Sequence, residues 1–332
     1  MRQSPLFWQK QQTGWQSLLL SPLAWGVKFI AAGKERQRSF KAPVPVLCCG
    51  NITTGGTGKT TVVIDLAVRL KNKNITPHIL LRGYGGKLKG PVQVDLTRHT
   101  AEDVGDEALL LAAVSPTWIG GNRALSARAA VARGAQCLIM DDGFQNFTLH
   151  KDFSLLIIDG AAGLGNGQVL PAGPLRESPQ RALSRASAIM IIGEDKTGFL
   201  SRYAGSFPPE KIIQAGLQTC FADSIALRDK NCIAFAGIGR PGKFFDSLAK
   251  AGILLVKTIS FADHHFYKTS ELERLQALAS EHQAQLVTTP KDYARLPEFF
   301  RSVVSVTDVE LVWQDDAVPE KILHTLMPET GL

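Results

Sequence analysis

Residues 50–61 read GNITTGGTGKTT, and the residue types are those of a phosphate cradle. Glycines at this density let backbone N–H groups converge on phosphate oxygens where a helix begins. In that reading Gly55, Gly56, Thr57, Gly58, Lys59, Thr60 and Thr61 surround the phosphates, with Thr53 and Thr54 at the entry. Lys59 reaches the β- and γ-phosphates, and Thr60 offers its hydroxyl to a magnesium ion. The usual pattern has glycine where this chain has Thr53. All the groups that must touch phosphate or metal lie after that point, so a nucleotide site is favoured over a bare glycine turn. Such a loop also needs a carboxylate at the end of a neighbouring strand. CLIMDD (137–142) supplies Asp141 and Asp142 behind an apolar run.

These residues need a frame, and the flanking sequence predicts one. VPVLCCG before the loop reads as a buried strand, and TVVIDLAVRLKNKN after it as a helix. Apolar strand-like runs recur at 78–83, 136–142, 153–160 and 188–194, with helical patterns at 106–114 and 122–134 between them. Continuous apolar strands alternating with helices predict an α/β fold with a parallel sheet covered on both faces. The stretch 163–177, GLGNGQVLPAGPLRE, is too rich in glycine and proline for regular structure. A second alternating unit starts near 231, with strands at 232–237, 254–261 and 285–289. One of its helices carries an expected cap at Ser270 with Glu273 three residues on. The resulting division is an N-terminal segment 1–42, a P-loop domain 43–222 and a smaller α/β domain 228–332.

The N-terminal segment is unusual. Residues 15–32, WQSLLLSPLAWGVKFIAA, hold one charge, Lys28, and Pro22 interrupts them. That is short for a bilayer span and lacks the layout of a signal peptide. On a helical grid Lys10, Ser17, Ser21 and Lys28 form a narrow polar line, while Trp15, Leu18, Leu19, Trp25 and Phe29 fall elsewhere and Lys34, Arg36, Arg38 and Lys41 follow. This predicts either a helix lying in a membrane interface or one packed on the core.

Composition limits the partners. Lysine and arginine exceed aspartate and glutamate by 37 to 30, a net charge of +7, which favours nucleotides, phosphorylated substrates or anionic membrane surfaces. Neither zinc-finger spacing nor an aromatic RNA-binding signature is present, so nucleic acid is not an expected partner. Five cysteines without a CxxC read as buried thiols in a reducing compartment. The guanine-reading NKxD is missing, since TTPKD has Lys291 and Asp292 adjacent, and Thr54 stands where partner-activated ATPases carry an extra lysine. ATP is therefore the expected nucleotide.

GNITTGGTGKT, LRGYGG, DVGDEALLLA, DDGFQ, GNGQVLPAGPLRE, AFAGIGRPGKFF, FADHHFY and LVTTPKD occur in this order and at fitting separations. Together they resemble the tetraacyldisaccharide 4'-kinase family of lipid A biosynthesis, over about residues 44–296. The resemblance implies Mg-ATP-dependent phosphorylation of the 4'-hydroxyl of a tetraacyl disaccharide 1-phosphate. It also implies a peripheral or monotopic enzyme on the cytoplasmic face of the inner membrane, which turns the reading of the N-terminal helix toward the membrane. It implies that Asp106 is the catalytic base, that Glu107 is its acidic neighbour near the metal, and that His264 pairs with the base across the domains. By their types alone, Asp106 and Glu107 also suit first-turn helix acids, and Asp263, His264 and His265 suit a polar loop. Arg82 and Tyr84 in the RGYGG turn, Gln145 and Asn146 after DDGF, and Arg176 in PLRE are candidate substrate contacts. Asn146 stands where the family usually has histidine, Pro290 where it commonly has glutamate, and Gly86 where a basic residue often follows RGYG. Two other classes compete: a soluble P-loop NTPase serving as a metallochaperone or assembly switch, and a non-catalytic phosphate-binding membrane adaptor.

Overall fold

In the computed structural model, which describes residues 5–327 apart from 11, 36–37, 221–226 and 228–229, the phosphate loop springs from the middle of a nine-stranded sheet. The first unit runs α1 (Leu6–Gln9), α2 (Trp15–Glu35), β1 (Val46–Gly50), α3 (Lys59–Asn72), β2 (Pro77–Leu81), β3 (Val92–Gln93), α4 (Ala101–Val104), α5 (Asp106–Val114), β4 (Thr117–Ile119) and α6 (Arg123–Ala132). It continues through β5 (Cys137–Asp141), β6 (Phe153–Asp159), α7 (Pro179–Arg185), β7 (Ala188–Ile192), α8 (Phe199–Tyr203) and β8 (Ile212–Cys220). The second unit holds β9 (Asn231–Ala236), α9 (Pro241–Lys250), β10 (Leu254–Ser260), α10 (Thr269–Glu281), β11 (Gln285–Thr288), α11 (Pro290–Arg295), α12 (Glu298–Arg301) and β12 (Val304–Val306). Last come β13 (Asp308–Trp313) and α13 (Ala317–Leu326).

The large sheet has the order β13-β8-β7-β6-β1-β5-β2-β4-β3. It is parallel except where β13 meets β8 and β3 meets β4. Strand β1 shows why these apolar runs are strands covered twice. Leu47 and Cys49 enter one core layer with Leu66 and Leu70 of α3 and Leu111 of α5. Val46 and Cys48 enter the other with Ala127 and Ala130 of α6 and Leu183 of α7. The second unit repeats the plan with the parallel order β10-β9-β11-β12, Phe244 and Leu248 of α9 on one face and Leu272 and Leu275 of α10 on the other.

Two features differ from the sequence expectation, and a third concerns the face of α2 that the sequence left open. The small unit does not extend to the C-terminus: β13 returns to the large sheet, pairing antiparallel with β8 from Asp308 opposite Cys220 to Trp313 opposite Ala215. The reason is apolar. Leu311 and Trp313 join Ile322, Leu323 and Leu326 of α13 in the core layer over α3, and Trp313 Nε1 donates to Asp65 Oδ2 at 3.0 Å. The small unit is thus an insertion between neighbouring strands. Helix α10 begins earlier than expected: the cap is at Lys268, whose N–H donates to Glu271 Oε2 at 2.8 Å, an oxygen that also meets His265 Nε2 at 2.8 Å. Finally, α2 packs on the protein through Ser17 and Ala24, with Ser21 and Lys28 half-buried and Lys10, before the helix, exposed. Ser17 is fully buried, accepting from Asn166 Nδ2 at 2.9 Å, and Ala24 is buried as well. Trp15, Leu18, Leu19, Leu23, Trp25, Phe29 and Ile30 are each more than half exposed. Among the described residues no helix is long and apolar enough to cross a membrane. Of the basic residues in and after the last turn of α2, the side chain of Lys34 and all of Arg36 lie outside the described residues.

Candidate active site

The loop entry explains the absent glycine. Thr53 makes a β-bridge with Leu175, Thr54 N donates to Pro174 O at 2.9 Å, and Arg176 N donates to Ile52 O at 2.7 Å. The segment before the phosphate loop therefore runs extended against Pro174–Arg176 and has no need of a left-handed residue at 53. That freedom is used later, at Gly58, which caps α3 at φ 84°. A Cβ there would also press on Ile192 and Leu217, at 3.0 and 3.2 Å. At the other end of the loop, Gly50 of β1 leaves room for Phe144 of the DDGFQ motif, whose Cβ would lie 2.6 Å from a side chain at 50. Between them Gly55, Gly56 and Thr61 line an open cavity together with Lys59.

Several polar atoms at this loop have no protein partner: Asn51 Oδ1, Thr54 Oγ1, Thr57 Oγ1 and Asp141 Oδ1 are buried and unpaired. Buried polar atoms are seldom left so, and they mark a place where a ligand belongs. Thr60 Oγ1 lies 3.4 Å from Asp141 Oδ2. Burial, and next the charge of Glu107, push the Asp141 carboxyl up to about 7 against the pull of Lys59. A buried carboxyl with an unpaired oxygen beside a threonine hydroxyl is a donor set that fits magnesium, a hard ion that takes its remaining ligands from phosphate and water. Among the described residues no group of three or more His, Cys, Asp or Glu is placed to hold a metal unaided. Asp142 and Glu107, also expected at the metal, each face a protein cation. Asp142, at φ 51°, takes Arg176 Nη1 on both oxygens at 3.0 and 2.8 Å and has Lys59 Nζ at 3.6 Å. Its burial would raise the carboxyl, but Lys59 and Arg176 hold it below the usual range. Glu107 is bonded to Lys291 Nζ of α11.

Asp106, the first residue of α5, is brought against the small unit. His264 Nδ1 is 3.2 Å from its Oδ2 and Arg295 Nε is 3.4 Å from the same oxygen. The Asp106 carboxylate is 4% exposed. Burial raises its pKa, yet the hydrogen bond from His264 and the charges of Lys291, His264 and Arg295 bring it below the ordinary value. The same bond raises His264, with burial opposing. His264 has φ 57°, its N–H donates to Gly237 O at 3.0 Å, and Tyr84 of the RGYGG turn lies tilted against its ring at 5.8 Å. A left-handed histidine is uncommon outside sites that need it. Beneath it Asp292 is fully buried and accepts from Gly237 N, Tyr267 Oη and Thr289 Oγ1 at 2.8, 2.7 and 2.6 Å, while Arg295 Nη1 donates to Gly237 O and His265 O.

The remaining candidates divide. Arg82, Tyr84, Gln145, Asn146 and Arg176 all line the same open cavity as the phosphate loop and Asp106. Gln145 Nε2 is used within the protein, on Asn51 O and Glu177 Oε1, both at 2.9 Å. Asn146 is used likewise: Nδ2 donates to Gly121 O at 3.2 Å, and Oδ1 accepts from Thr148 N and Oγ1 at 3.1 and 2.7 Å. An asparagine satisfies that turn without the charge a histidine would bring. Lys291 and Arg295 received no role from the sequence; LVTTPKD carried a signal, but only the fold shows that Pro290–Arg295 starts beside Glu107.

A sequence profile of the family described as tetraacyldisaccharide-1-P 4'-kinase matches residues 16–327. The tetraacyldisaccharide 4'-kinase of Gluconacetobacter diazotrophicus is 50% identical over 320 residues, 96% of this chain and 97% of the relative. That of Gluconobacter oxydans is 47% identical over 325 residues, 98% of each. Among solved structures, LpxK from Aquifex aeolicus in complex with ATP superposes with a TM-score of 0.76 at 26% identity, covering 93% of this chain and 99% of that one.

Proposed function

The chain belongs to the tetraacyldisaccharide-1-P 4'-kinase family, and from that premise we propose that Asp106 takes the proton while the phosphate loop holds the donor. The protein is an ATP-dependent kinase that phosphorylates the 4'-hydroxyl of a tetraacyl disaccharide 1-phosphate in lipid A biosynthesis. The observation that carries the residue roles is the pairing of Asp106 with His264 across two structural units on the wall that also holds Lys59.

In the proposed reaction the 4'-oxygen bonds to the γ-phosphorus of ATP, the bond to the β-γ bridging oxygen breaks, and the hydroxyl proton passes to Asp106. Such transfers depend on placement and charge neutralisation more than on strong bases. Asp106 stays ionised at neutral pH because His264, Lys291 and Arg295 oppose its desolvation. His264, donating from Nδ1, fixes the orientation of the carboxylate that takes the proton and stabilises its ionised form. Lys59 and the N–H groups at the start of α3 hold the donor's phosphates, and Thr60 with Asp141 would hold magnesium. Held there, magnesium would supply charge neutralisation at the donor's phosphates. Asp142 anchors Arg176, and Lys291 keeps Glu107 and Asp106 from repelling each other.

The outward apolar face of α2 supports peripheral contact with a membrane, where a tetraacylated acceptor resides; seven large apolar side chains on one helix surface are costly in water. The use of ATP as donor supports a place on the cytoplasmic face of that membrane. No observation favours the metallochaperone reading.

The test is transfer from γ-labelled ATP to a tetraacyl disaccharide 1-phosphate in detergent micelles. The wild type phosphorylates the acceptor and Asp106→Ala does not. Equal transfer by the two proteins would remove Asp106 from the mechanism.

A further inference from the structure

Glu35, the last residue of α2, is held by two arginines of α7. Arg181 Nη2 bonds its Oε2, and Arg185 Nη1 lies 3.2 Å from its Oε1. All three side chains line the cavity shared with Lys59 and Asp106. The arginines differ in how they are fixed. Arg185 is 20% exposed, donates Nη2 to Glu177 Oε2 at 2.6 Å, and lies over the rings of Phe144 and Phe147 at 5.2 and 5.1 Å. Arg181 is 39% exposed and meets Glu35.

The acceptor in the reading above carries a phosphate at position 1, at the far end of the disaccharide from the reacting 4'-hydroxyl. That phosphate needs cations away from the donor. Arg176 is taken by Asp142, and Arg123 is buried with Nη1 on Gly120 O. The α7 arginines stand instead where α2 ends, beside the helix whose apolar face suits the acyl chains. Resting on that reading, we propose that Arg181 and Arg185 recognise the acceptor's 1-phosphate, and that Glu35 is the internal carboxylate that holds them until the phosphate replaces it.

The energetics favour exchange. A partly exposed ion pair contributes little net stability, so releasing Glu35 costs little. A phosphate monoester presents more oxygens and more charge to the two forks than one carboxylate does. Arg185, braced by Glu177 and two rings, keeps its place, and Arg181 is the arm able to follow the ligand. Glu35 then repels acceptors badly seated and is itself freed only when the phosphate arrives.

The experiment measures kcat/KM for two acceptors, with and without the 1-phosphate, in neutral detergent micelles lacking phospholipid. The wild type is expected to prefer the phosphorylated acceptor by at least about tenfold, the scale of one or two hydrogen bonds to a charged group. Arg181→Gln should cut that preference to within about threefold of unity and Arg181→Lys should leave it intermediate, because lysine keeps charge without the fork. Glu35→Gln should lower KM for the phosphorylated acceptor, whereas a purely structural tie would make the same change raise it. An undiminished preference in Arg181→Gln overturns the proposal, and so does a preference that appears only after phosphatidylglycerol is added, which would mean the arginines read the membrane. A wild type that phosphorylates both acceptors equally removes the 1-phosphate site alone; one that phosphorylates neither removes the kinase reading itself.

Discussion

Replacing Asp106 by Asn and His264 by Ala, singly and together, asks whether the two side chains act as one unit. Asn keeps the shape of Asp106 but cannot take a proton, so kcat should fall by about 10²–10⁴-fold. His264→Ala removes a hydrogen bond to an ionised, buried carboxylate, worth about 1.5–3 kcal/mol. Arg295 still lies 3.4 Å from the same oxygen, so the lower part of that range applies and kcat should fall by about tenfold to thirtyfold. In the Asp106→Asn background the imidazole has no carboxylate to serve. There His264→Ala should cost less than about threefold, leaving a coupling of about 1–2 kcal/mol, typical of side chains in contact. Single-turnover transfer of labelled phosphate, with ATP and acceptor saturating, reads the chemical step apart from binding. If the two losses simply multiply, the histidine acts independently of Asp106 and the pairing has no catalytic meaning.

Lys291→Ala removes the cation among Glu107, Asp106 and Asp141; kcat should fall by at least about tenfold, the scale of a lost charged hydrogen bond, in the same single-turnover assay. His78 is buried, accepts on Nδ1 from Trp118 Nε1 at 3.2 Å, and has its pKa lowered by desolvation. Its contribution to stability is therefore whole above the unfolded-state pKa near 6.5 and is lost as pH falls through the lowered folded value, at up to about 1.4 kcal/mol per pH unit. Urea denaturation of His78→Gln between pH 7 and 5 should show a correspondingly flatter fall than the wild type. Trp25→Ser with Phe29→Ser removes two rings that are 71% and 83% exposed; at about 1.5–3 kcal/mol for each buried side chain, vesicle flotation should show binding weakened by at least about tenfold.

What the sequence disclosed was mostly local. The phosphate loop, the strand ending in Asp141 and the alternating layers follow from spacing and period, because each is dictated by neighbours along the chain. The polarity of α2 was visible as a pattern, but not its sense: which face turns inward depends on Asn166, which lies 149 residues from Ser17 and receives it. The same holds for Lys291 and Arg295, whose partners sit on α5. The roles of Asp142 and Arg176 were also hidden, since either residue alone suits metal or phosphate and only their mutual contact shows them paired. Thr53 is the reverse case, an apparent defect in a motif that the strap at Pro174–Arg176 makes harmless.

The return of β13 bears on how the chain is made. Strand β8 leaves the ribosome with one edge open, and β13, which covers it, emerges only after residues 221–307 have followed. An open strand edge invites pairing with other chains. The small unit, with its own parallel sheet and two core layers, can form during that interval, while the ATP-binding layer still lacks Leu311, Trp313 and α13. Synthesis order and folding order therefore part company here: the domain begun first is the one completed last.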